Sequence, residues 1–208
     1  MRNATKTTVS TFGAIMGLAG IEHGVGEILQ GNVPPNGVMI LSWPDSAFFR
    51  SLGGEPAMTI VPNLLVTGIL AMLLSSVFLV WATLFVQKKN GGLVLILLSA
   101  GMLLAGGGIF PPVLGILLGA LATRIQGPAG RERAHSSVGL QGLLGKSWRL
   151  TFVASLAAWL MLFPGMNLLG YFFGVNDPTL TVLLISLAFG TLLLTVFSGF
   201  ASDGLSRT

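Results

Sequence analysis

Residues 91–125 read GGLVLILLSAGMLLAGGGIFPPVLGILLGALATRI, an apolar run with no charge before Arg124. A helix needs about 20 apolar residues to cross a hydrocarbon core of roughly 30 Å, so this run is too long for one ordinary span and short for two. Its middle, GGGIFPP, decides between them. Gly106 to Gly108 supply a flexible stop, and Pro111 and Pro112 remove backbone donors and disfavour helix in the residue before each. A break is predicted there, with 91–109 as one span and 111–125 as a second that opens with proline in its first turn, where proline is best tolerated. At about 1.5 Å per residue the second piece reaches only ~22 Å, so it is either a short span that thins the bilayer or a re-entrant element.

The flanks of this run argue for two crossings. Lys88 and Lys89 precede it, and Arg124, Arg131, Arg133, Lys146 and Arg149 follow it. Lys and Arg accumulate in cytoplasmic loops, so the chain should leave and return between these two clusters. Four further apolar runs of spanning length stand on either side, at 8–30, 58–86, 150–174 and 179–201. Six crossings place ten of the eleven basic residues, including Arg2, Lys6 and Arg207, on the cytoplasmic side and leave Arg50 outside. Five crossings would strand one of the two basic clusters. The expected architecture is therefore an all-α polytopic membrane helix bundle, a single transmembrane domain over 1–208 with both termini in the cytoplasm, in the plasma membrane. A cleaved signal peptide competes for the first run, because Gly17 and Ala19 fit a small-residue cleavage site; the run nonetheless continues as a plausible helix past Ala19.

Composition agrees. Of 208 residues 52% are hydrophobic and 9% charged, against about a quarter charged in soluble domains, and the mean hydropathy is +0.84. The net charge of +4 lies at the ends of the apolar runs and not on a continuous face, so a nucleic-acid surface is not expected. With no cysteine, disulfides, thiolate metal sites and cysteine nucleophiles are excluded together. The 29 glycines lie inside apolar runs, a pattern of closely packed membrane helices.

Two loops carry detail. The outer loop 31–57 holds Trp43, Phe48 and Phe49 beside Asp45 and Arg50, an amphipathic stretch suited to the headgroup layer, to capping the bundle or to gating it. The inner loop 126–149 is basic and suits anionic lipid headgroups; His135 within it reads as a solvated residue.

The first apolar run holds the chemistry. Glu22, His23 and Glu27 stand inside FGAIMGLAGIEHGVGEILQG, where ionisable groups are costly and functional by default. Gly13, Gly17, Gly20 and Gly24 lead to Glu27 at spacings of four and three residues, a stripe that lets a second helix approach closely. His23 and Glu27 are one turn apart and share a face, whereas Glu22 projects about 100° from His23. A carboxylate and an imidazole at that depth could share a proton, as a relay requires, or could be held by backbone groups and interfacial water. One His and two carboxylates on one helix are too few for a closed metal site, and no span pairs a serine with a base, so no metal, cofactor or catalytic residue is assigned. The breaks at Pro111–Pro112 and at Pro164, with Asn167 beside it, are either simple kinks or discontinuous helices that form a substrate site. The leading expectation is a small transporter or channel-like protein for protons, cations or a small solute, with the bilayer and a homo-oligomeric copy as its surroundings. The alternative is a non-catalytic accessory or assembly subunit docked to a larger membrane complex; an enzyme is the less favoured reading.

Overall fold

A computed structural model describes residues 4–123, 125 and 138–205. Arg2, Arg124, Arg131, Arg133, His135 and Arg207, which entered the charge argument, lie outside the described residues. Among these residues the chain is mostly helix, with one short hairpin and connecting turns, and it divides into two compact units. Three helical segments are long and apolar enough to cross a membrane: Leu64–Phe85, Gly142–Phe173 and Pro178–Leu205. Six crossings are not shown by length and composition. Helix α1 (Ala4–Gln30) is long enough, at 27 residues, but is not among the three, since Glu22, His23 and Glu27 lower its hydropathy. The two pieces of the 91–125 run are shorter than the sequence suggested.

The first unit comprises residues 9–46 and 53–126. Here α2 (Leu64–Val80) starts at Asn63, whose side chain accepts the backbone N–H of Val66, and continues into a wider π-helical turn over Trp81–Phe85. The expected span 58–86 is therefore trimmed at its start, because residues up to Asn63 serve a strand and a cap. Helices α3 (Gly91–Leu104) and α4 (Phe110–Ala122) pack antiparallel, with Gly92 against Gly119 and Gly115 against Ser99. The predicted break lies between them: Gly106 and Gly108 adopt φ of +87° and +83°, and Pro111 and Pro112 fill the first turn of α4, where a missing N–H leaves nothing unsatisfied. At 14 and 13 residues these helices are about 20 Å long, shorter than a hydrocarbon core.

The outer loop contains structure the sequence did not announce. β1 (Met39–Leu41) pairs antiparallel with β2 (Pro56–Met58), Ile40 opposite Ala57. The tip of the α3–α4 hairpin joins the edge of β2: Ile60 N–H donates to Leu104 C=O, and Gly106 N–H to Met58 C=O. The glycine stripe of α1 packs on α2. A Cβ at Gly13 would meet Ala82 at 2.5 Å, at Gly17 Leu79 at 2.6 Å, and at Gly24 the Gly68 carbonyl at 2.7 Å, so the two backbones are in contact only because these side chains are absent; Gly20 sits against Ser75.

The second unit comprises residues 1–8, 47–52 and 127–208. Helix α5 (Val138–Leu160) begins well before the expected 150, so part of the region read as inner loop is helix. It breaks over Met161–Gly165, where Phe163 is extended and Pro164 follows a cis peptide bond, and resumes as α6 (Met166–Phe173). Helix α7 (Pro178–Leu205) packs along α5, with Thr151 hydrogen-bonded to Ser198 at 2.8 Å and Trp159 against Phe189. The Asp203 carboxylate accepts the Ala4 and Thr5 N–H groups, neutralising orphan donors at the start of α1. Phe48 of the aromatic stretch packs on Tyr171 and Ser51 bonds Asn176, so that part of the outer loop caps α6. Leu150, Val153, Val182, Leu194 and Phe197 are exposed on α5 and α7, as lipid-facing side chains would be.

Candidate functional site: a buried carboxylate–histidine cluster

Within the first unit, His23 and Glu27 lie on one face of α1, as their spacing requires, and both are removed from solvent, at 3% and 0% exposure. They do not bond each other directly. Ser42, just past β1, stands between them: its hydroxyl donates to Glu27 Oε1 at 3.2 Å and meets His23 Nδ1 at 2.8 Å. A hydroxyl has one proton; with Glu27 as a carboxylate Ser42 gives it that proton, and in this arrangement it accepts at His23 and Nδ1 carries the hydrogen. The other ring nitrogen, Nε2, then presents its lone pair.

Nε2 faces Glu55 Oε2 at 3.6 Å. Glu55 is 3% exposed and comes from the return arm of the loop, where its C=O accepts the Ser42 N–H. Its φ of +57° is uncommon for a residue with a side chain and follows Gly53 and Gly54, also at positive φ. This left-handed run turns the chain back onto β1, with Gly54 C=O bonded to Trp43 N–H. Glu22, half-buried, is the third member on that side: one ligand atom each from Glu22, His23 and Glu55 lie within 4.8 Å of one another. Its offset of about 100° from His23 still leaves a ligand atom of each within 4.8 Å of the other. The Trp43 indole covers the wall beside them, so close to Gly26 that a Cβ there would meet the ring at 2.7 Å.

The glycine turn forms the remaining wall. A Cβ on Gly108 would meet His23 Nε2 at 2.5 Å, and one on Gly106 would run into the Glu27 carboxylate. The break at 106–108 thus brings bare backbone against both groups. Pro111 and Pro112 are buried in the first turn of α4, just past this turn. Pro164 and Asn167 belong to the other unit; Asn167 is buried there, and its Oδ1 has no hydrogen-bond partner among the described residues.

Ser42 and Glu55 were not found by sequence reasoning. Each is a single polar residue in a loop, and only the pairing of two three-residue strands carries them to α1. The one sequence signal was an acid following two glycines, in LGGEP.

No protein-family model, no curated protein and no solved structure matches this chain.

Proposed function

We propose that this chain is a small multi-pass membrane protein with six crossings and both termini in the cytoplasm, placed in the plasma membrane, and that it moves protons, cations or a small solute using Glu22, His23 and Glu27. The observation that carries this reading is the buried row of groups in which His23 and Glu27 are joined by hydrogen bonds through Ser42 and Glu55 faces His23 at 3.6 Å, under a glycine turn between two short apolar helices. Each group can both take and give a proton or ligate a cation, and Ser42 can reverse its hydroxyl as the proton passes. Ionisable groups gathered in so apolar a chain are costly, and stability alone gives no reason for three carboxylates around one imidazole.

The alternative, an accessory subunit that docks through the α1 glycine stripe, is disfavoured by one observation: α2 of the same chain already covers that stripe. Flux across proteoliposomes tests the proposal. Wild-type protein should dissipate an imposed proton or cation gradient, and Glu27→Gln, which keeps the size but loses the charge, should abolish this; equal flux by both would reject the role. The absence of native cysteine makes the topology testable with single-cysteine variants. A cysteine at Val175 should react with an impermeant reagent in intact cells, and failure to do so would reject six crossings.

A further inference from the structure

We propose that Glu22, His23 and Glu55 form the inner ligand set of a divalent transition-metal site of the zinc class, with Ser42 and Glu27 holding the histidine from behind. This inference deepens the ion-handling role proposed above by naming its cation, and it rests on that reading of the cluster.

Three observations converge. The first is distance. His23 Nε2 and Glu55 Oε2 stand 3.6 Å apart, beyond a hydrogen bond. Ligands of a tetrahedral ion bonded at about 2.0–2.1 Å stand about 3.4 Å from one another, so the separation suits two donors to one ion. A ligand atom of Glu22 lies within 4.8 Å of both. The second is the state of the histidine. Metal-bound imidazole donates its remote N–H to an oxygen acceptor that fixes the tautomer. His23 does this through Nδ1 to Ser42, which is itself fixed by Glu27, and its Nε2, in a side chain 3% exposed, makes no hydrogen bond among the described residues. The third is charge. Three carboxylates surround one neutral imidazole, and Glu27 Oε2 and Glu22 Oε1 are buried without a hydrogen-bond partner among the described residues. A divalent cation among these groups would offset the cost of burying their carboxylates together.

The donor types select the ion. One imidazole and two carboxylates suit Zn2+, or Mn2+ and Fe2+ near it, whereas Mg2+ and Ca2+ prefer all-oxygen shells of six or more ligands. Three protein ligands leave a coordination position open, as in sites that exchange a ligand and unlike closed structural zinc sites.

The full-length protein in nanodiscs, stripped with chelator, should bind one Zn2+ per chain in calorimetry, and Co2+ should give a visible d–d spectrum that Zn2+ displaces. Glu55→Gln should weaken binding at least tenfold and Ser42→Ala about 10–100-fold, the range for a partner behind a metal-bound histidine. The Co2+ spectrum reports coordination in the wild type even if a variant fails to fold. No Zn2+ binding by folded wild type, binding unaffected by Glu55→Gln, or a preference for Mg2+ or Ca2+ would each overturn the site. If metal binding fails while Glu27→Gln still abolishes flux, the metal is rejected and the transport reading stands. Zn2+ bound with no flux under any gradient leaves the metal site intact and rejects transport.

Discussion

Gly108→Ala offers the sharpest test of how the glycine turn serves the site. Gly108 has φ +83°, and an added Cβ would lie 2.5 Å from His23 Nε2 and 2.7 Å from Cδ2. Gly31 has φ +90° with nothing within 4 Å of its added Cβ. Both substitutions place alanine in a left-handed backbone, at about 1 kcal/mol each. Only Gly108→Ala also overpacks a buried ring, which adds about 1–3 kcal/mol. For a chain of this size 1 kcal/mol moves Tm by about 2–4 °C, so Gly31→Ala should lower Tm by about 3 °C and Gly108→Ala by about 6–12 °C. Circular dichroism melts in one mild detergent would measure both. The ring is one wall of the cluster, so Gly108→Ala should also impair the site, and Gly31→Ala should not. Equal shifts for the two variants would refute the close approach of the turn to His23.

Further predictions concern the hairpin and the helix contact. Ser42→Ala leaves His23 Nδ1–H and Glu27 Oε1 without their partner and should cost about 2–3 kcal/mol, whereas Ser76→Ala, exposed and bonded only to the Met72 carbonyl, should change stability by less than about 0.5 kcal/mol; denaturant titration compares them. Glu55→Gly removes the same carboxylate as Glu55→Ala but suits φ +57°, so it should be the more stable of the two by about 1 kcal/mol in thermal melts. Gly68→Ala drives a methyl group into the Gly24 carbonyl and Ile28 and should cost about 1–3 kcal/mol, while Gly190→Ala on α7 meets nothing within 4 Å and should be neutral or slightly stabilising.

Residues alone were enough for the helices and for the interruption in 91–125. Runs such as 64–85 are long and apolar, and Gly106, Gly108, Pro111 and Pro112 have backbone preferences that hold in any surroundings. The stripe at Gly13, Gly17, Gly20 and Gly24 was legible for the same reason: helical geometry repeats, and side-chain absence is written in the sequence. The lengths of α3 and α4 were less so, because the turn between them extends from 105 to 109 to meet β2, a contact no local rule contains.

What only tertiary structure decided is the site's completion. His23 and Glu27 share a face by periodicity, but Ser42 and Glu55 flank strands of three residues, too short to show alternation. They reach α1 because Gly53 and Gly54 reverse the chain and β1 pairs with β2. Glu22 looked misdirected on a single helix because the group it meets lies on another segment. A helix fixes angles between its own side chains; the third ligand direction depends on a loop whose course is set by pairing partners distant in sequence.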